Sequence, residues 1–210
     1  RGIARFYLKE LAPELKLYLS PLNLDPETPA VPISHPMVYA SYLAKVQGPY
    51  ATLGLAEDTW ALNEHVLDET AFLEQCYDIH AEREAMFFDA LRKTSYGMVA
   101  CVFDITDRIQ HTFWQYTPEA REAGSSPEPS DQEDSVEECY RRMDAMLGRV
   151  RRQLGKDDLL LVISDHGFAA FHGGLNLNTW LLENGYLALR EGSAAGGEYF
   201  ENVDWSRTKA

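Results

Sequence analysis

Met98-Val-Ala-Cys-Val-Phe-Asp104 and Leu159-Leu-Leu-Val-Ile-Ser-Asp165 are two apolar runs, each ending in a carboxylate. Their length and lack of polar alternation predict two buried strands. Between them, residues 136–154 carry apolar side chains at helical spacing. Tyr140, Met143, Leu147 and Val150 are expected inward, and Gly155 is the stop. Strand, helix, strand in that order predicts a right-handed crossover and an α/β fold: a largely parallel sheet flanked by helices. Ligands bind such sheets at the carboxyl ends of the strands. Those ends carry Asp107-x-x-x-His111 after the first run and Ser164-Asp165-His166-Gly167-Phe168 at the close of the second.

Outward from this core, Ile3–Leu8 and Leu15–Ser20 alternate and predict a small antiparallel pair. Asp25-Pro-Glu-Thr-Pro-Ala-Val-Pro32 reads as an extended loop. A helix is expected over 36–47, with Pro36 near its first turn and Gly48 as its stop. Residues 50–67 read as irregular, with a turn at Glu57-Asp-Thr-Trp60. Asp68 then caps a long helix reaching about Lys93, with Leu73, Cys76, Tyr77, Phe87 and Leu91 on its apolar face. Thr117–Glu138 holds eight acidic side chains with Arg121 as the only base, and is expected as a solvated loop. A short helix over Asn176–Asn184 closes at Gly185, and Gly192–Gly197 reads as a turn. One domain is expected over 1–210, with strand pair and loop in 1–32, α/β core in 33–210, and the acidic loop near 117–136.

The bulk numbers exclude several function classes. A formal charge of −14 argues against binding a nucleic-acid polymer, whose phosphates need a basic face. A small phosphorylated substrate stays open, because bound divalent cations reverse the local sign. No apolar run reaches the roughly 20 residues that cross a bilayer, and no signal peptide is legible. The chain starts at Arg1 and stops at Thr208-Lys-Ala210 without a closing element, so a piece of a longer protein is expected. Cys76, Cys101 and Cys139 are odd in number and form no C-x-x-C pair. Cys101 reads as a small core residue, and a reducing, cytoplasmic compartment is expected.

Asp107 and His111 stand four apart, so on a helix they share one face and can share a divalent cation. The oxygen and nitrogen donors suit zinc, with manganese or iron as alternatives, better than magnesium. Asp165 and His166 are adjacent, and a turn at Gly167 lets both reach one ion. Taken singly, the motifs read equally as an exposed ion pair and a capped turn. Together, at the ends of two apolar runs, they supply half of a two-metal site that clamps phosphoryl oxygens. His172 is a candidate substrate or outer contact. Asp104 either orients a ligand or caps the helix after it. His35, His65 and His80, with no acidic partner at metal spacing, read as structural or exposed. Arg108 and Gln110 read as local contacts, and Phe113 and Trp114 as core anchors.

Asp104-Ile-Thr-Asp107-Arg-Ile-Gln-His111-Thr-Phe-Trp114 together with Ser164-Asp-His-Gly-Phe168 resembles the alkaline phosphatase superfamily, in its type I phosphodiesterase/nucleotide pyrophosphatase branch. Looser likenesses lie at Tyr18-Leu-Ser-Pro21, Glu57-Asp-Thr-Trp-Ala-Leu-Asn63 and Asn176-Leu-Asn-Thr-Trp-Leu181. The resemblance implies an alkaline phosphatase-like core and two divalent metals, one held by Asp107 and His111, the other by Asp165 and His166. It also implies in-line attack by a Ser or Thr hydroxyl, with a covalent phospho-intermediate. No early Asp followed by such a nucleophile precedes Asp104, and no suitable late His follows residue 180, so both are expected outside this chain. Phosphomutase, sulfatase, and a non-catalytic metal-binding or interaction module remain alternatives. The sequence leaves the oligomeric state open.

Overall fold

The computed structural model describes residues 1–124, 130–194 and 200–209. It divides into two compact units, Arg1–Ala170 and Phe171–Ala210. The first begins with four short strands: β1 (Gly2–Ile3), β2 (Phe6–Glu10), β3 (Lys16–Leu19) and β4 (Asn23–Leu24). β1 pairs antiparallel with β4, and β2 antiparallel with β3, Phe6 lying opposite Leu19. Alternation gives the hairpin two different faces. Tyr18 turns inward and donates to Asp58 at 2.7 Å, whereas Phe6, Leu8, Leu17 and Leu19 stay exposed.

Helices follow. α1 (Val38–Gln47) ends at Gly48, whose φ of +90° favours glycine. α2 (Thr59–Asn63) lies inside the stretch expected to be irregular. Asp58, expected in a turn, caps it by accepting from the Ala61 amide. α3 (Glu69–Lys93) starts at the expected cap, with the Asp68 carboxylate accepting from the Ala71 amide. α4 (Ile105–Phe113) runs into a 3-10 turn at Trp114–Tyr116. α5 (Pro118–Glu122) occupies the start of the expected acidic loop. Thr117 caps it and Pro118 sits where a missing N–H costs nothing. The rest of that loop lies partly outside the described residues, at 125–129. α6 (Ser135–Gln153) closes the helical set.

The core is helical. Phe72 and Cys76 of α3, Ile105, Ile109 and Phe113 of α4, and Val136 and Cys139 of α6 form its largest cluster. Each fully buried Phe or Ile there contributes about 1.5–3 kcal/mol of transfer free energy. A second cluster joins Phe88 to Met146 and Val150, with Phe103 packed against it.

The central expectation of a parallel sheet is not met among the described residues. Met98–Phe103 and Leu159–Ser164 carry no ladder partner, and the only sheets are the two antiparallel pairs. Val102 is 76% exposed and Ile163 90%. A strand exists only through its neighbours, and apolar composition without a neighbour leaves an extended, solvated run. Cys101, expected in the core, is exposed for the same reason. Tyr140, expected inward, is 53% exposed and donates from its hydroxyl to Gln110.

In the second unit, α7 (Leu177–Glu183) lies inside the expected span, whose end residues Asn176 and Asn184 are its caps. Asn176 caps it by accepting from the Thr179 amide, and Gly185 follows with φ +73°. Trp180 stacks on Tyr186 at 5.9 Å, and Leu189 bridges Val203 antiparallel. The expected turn at Gly192–Gly197 lies partly outside the described residues, at 195–199.

Candidate metal centre

α4 explains how Asp107 and His111 come to face solvent together. Its buried stripe is Ile105, Ile109 and Phe113, at 3%, 0% and 0% exposure. A period of 3.6 then turns residues two beyond each of the first two, Asp107 and His111, to the opposite face. Asp107 sits in the first turn and His111 in the last, the ends where the helix dipole favours a carboxylate and an imidazolium. Their nearest atoms, Oδ1 and Nε2, are 3.3 Å apart.

His166 reaches the same carboxylate from the far end of the second apolar run. Its Nε2 lies 3.5 Å from Asp107 Oδ1 and 3.8 Å from Asp165 Oδ2. Its Nδ1 is 3.0 Å from the Gly167 carbonyl, which can only accept, so Nδ1 carries the proton. In the neutral ring Nε2 then holds the lone pair, free to take an ion, and when Nε2 is protonated the imidazolium pairs with Asp107 and Asp165. The Gly167 carbonyl first, then the Asp165 and Asp107 carboxylates, push the imidazole's pKa upward. The turn is local. Ser164 donates to the His166 carbonyl at 2.5 Å, and the His166 amide donates to Asp165 at 3.0 Å.

Phe168 is the residue whose role the sequence did not announce. Its ring lies 4.8 Å from that of His111, 5.4 Å from His166 and 5.8 Å from Trp114. One aromatic side chain thus touches both imidazoles. The only prior signal was its place directly after Asp-His-Gly. Asp104, the residue before α4, makes no cap bond. It accepts instead from Arg83 of α3 at 2.5 Å, which ties the start of α4 to the long helix. Arg108 pairs with buried Glu57 at 3.5 Å, and Gln110 bonds within its own helix and accepts from Tyr140 of α6, so both reach beyond the local contacts expected.

The donor set fits a divalent transition metal in type: one carboxylate oxygen and two imidazole nitrogens. Two pairwise spacings, Asp107 to His111 at 3.3 Å and Asp107 to His166 at 3.5 Å, match the roughly 3.3–3.5 Å between donors on a tetrahedral zinc. A full shell is not formed. Among the described residues no group of three or more His, Cys, Asp or Glu is arranged to hold an ion. Asp165 stands at the edge, 89% exposed in its side chain. The four expected ligands therefore form one cluster around Asp107, with His166 shared between the pairs. His172 belongs to the second unit and is exposed. His80 is buried in α3, one of the two placements expected, but contrary to expectation it has an acidic partner, Glu84, at 3.6 Å one turn on.

No helix among the described residues is long and apolar enough to cross a membrane. No match was found among curated proteins or among solved structures. A family model described as type I phosphodiesterase / nucleotide pyrophosphatase matches residues 35–208, and the chain belongs to that family.

Proposed function

We propose that this chain contributes metal-ligating residues to a hydrolase of phosphoric esters, of phosphodiesterase or nucleotide pyrophosphatase type, acting on a small phosphorylated substrate. The observation that carries the reading is the approach of His166 to Asp107 at 3.5 Å, which joins the two motifs into one cluster. Family membership supplies the reaction class. Asp107 and His111 would hold one divalent cation, and Asp165 and His166 a second, zinc first with manganese or iron as alternatives. When bound, such ions neutralise phosphoryl oxygens and activate a hydroxyl nucleophile.

The chain's own residues do the positioning. α4 presents Asp107 and His111 from a helix fixed by Phe113 and Ile109. The Gly167 carbonyl sets the His166 tautomer so that Nε2 is the free donor. Phe168 packs beside both imidazoles. No residue of 1–210 is assigned as nucleophile. A reducing, cytoplasmic setting is part of the same proposal.

The test is turnover of bis(p-nitrophenyl) phosphate against p-nitrophenyl phosphate by the full-length protein, with metal content measured on the same sample. Preferential diester hydrolysis that disappears in His166→Ala, with metal lost, supports the reading. Full turnover by His166→Ala with metal content unchanged would remove it.

A further inference from the structure

A cleft of about 600 Å³ runs between α1, α3 and α6, and shares no residue with the Asp107 cluster. Val46, Ala81, Ala85, Phe88 and Met146 give it an apolar wall. Its polar groups are unevenly satisfied. The two carboxylates are fully engaged: Glu84 takes Arg149 and His80, and Asp89 takes Lys93 at 2.9 Å and Tyr42 at 2.9 Å. The donors are not. Arg92 keeps a single 3.4 Å contact to the already neutralised Asp89, and its side chain is 58% exposed. Arg142 spends its Nε on Glu138, and lies with its guanidinium carbon 3.9 Å from the Tyr77 ring centre. The buried Tyr77 hydroxyl and the Gln47 side-chain amide nitrogen have no hydrogen-bond partner among the described residues, and both residues line the cleft.

Unmet capacity here is donor capacity. Burial pushes the Tyr77 hydroxyl up to about 12, so it stays protonated, and burial lowers the pKa of His80. With their ion-pair partners counted, Arg92, Lys93, Arg142 and Arg149 face Glu84, Asp89 and Glu138, which leaves one positive charge in excess within an acidic chain. A guanidinium fork matches a carboxylate in geometry. An excess of one charge suits a monoanion better than a dianionic phosphate. The apolar wall asks for a hydrocarbon body behind the headgroup.

We propose that this cleft binds a small monocarboxylate carrying an apolar chain or ring, at a site separate from the metal cluster. The inference does not rest on the hydrolase reading. The probe is 4-phenylbutyrate, titrated by calorimetry into the full-length protein, with 4-phenylbutan-1-ol and 4-phenylbutylammonium as neutral and cationic counterparts. Saturable binding of one equivalent is expected, about tenfold tighter than the alcohol, as charge-assisted bonds require. Arg92→Gln, at an exposed position that leaves packing intact, should weaken it about fivefold, and Tyr77→Phe about as much. Asp107→Asn should bind the probe as wild type does. No saturable heat, equal binding of the three probes, or unchanged affinity in both cleft variants overturns the proposal.

Discussion

Asp107 and His166 meet at 3.5 Å, although all of α5 and α6 lies between them in the chain. The contact joins two motifs that are each ambiguous alone. It is made through Nε2, the ring nitrogen that the Gly167 carbonyl leaves free: protonated it pairs with the carboxylate, and neutral it can share an ion with it. Replacing Asp107 by Asn should therefore uncouple both imidazoles at once. Metal affinity of the full-length protein should fall at least about 100-fold, beyond the 10–100-fold typical of outer-shell changes. The melting temperature of the metal-free form should stay near wild type, because Asp107 faces solvent. Mass-spectrometric metal counts and a thermal melt check both halves.

Phe168→Ala should loosen His111 and His166 together, since one ring packs against both. A loss of metal affinity of about tenfold is expected, of the size seen for groups that orient ligands. Phe168→Leu should recover part of it by refilling the space. Equilibrium dialysis against zinc reads the series, and equal affinity across all three proteins would deny the ring a positioning role.

The proton competes with the metal at His166. Its pKa is raised, chiefly by the Gly167 carbonyl bond and then by Asp165 and Asp107. A ligating imidazole must be neutral, so each ion bound expels a proton. Metal affinity should therefore be full above the raised pKa and fall as the pH drops through it. The midpoint should lie above the ordinary histidine value of 6.5. In His166→Gln that step should vanish from a plot of affinity against pH.

His80 works in the opposite sense. Burial lowers its pKa below 6.5, with Glu84 opposing. Below pH 6.5 the unfolded chain takes up a proton that the folded chain refuses, so folding loses stability as the pH falls toward the folded pKa. Above 6.5 both states are neutral and the penalty is absent. The melting temperature of wild type should thus decline more steeply than that of His80→Gln between about pH 6.5 and pH 5. Parallel curves would contradict it.

Phe113 is fully buried at the meeting of α3, α4 and α6. Phe113→Ala should cost about 3–5 kcal/mol by transfer and cavity terms together. Urea denaturation reads the loss. Because the same residue fixes the face on which Asp107 and His111 stand, metal affinity should fall with it.

Local signals proved readable, and long-range ones did not. Asp68, Asn176 and Gly48 marked helix ends because capping needs only the adjacent residues. The four-residue spacing of Asp107 and His111 is likewise a short-range pattern, and it placed both on one helical face. Met98–Phe103 and Leu159–Ser164 went the other way. Apolar composition describes what a run can pair with, and pairing depends on other chain segments that composition does not name. The His166 approach to Asp107 was expected from a sheet edge, yet it arises from the turn at Asp165–Gly167 and the packing of Phe168. The pairing of Asp104 with Arg83 reaches back into the second half of α3 and has no local signature.

Metal counting on the full-length protein and its single variants bears most directly on the joined cluster. Two ions per chain are predicted for wild type, with Asp107→Asn and His166→Ala each losing metal and diester turnover together. Undiminished metal and turnover in both variants would contradict the account.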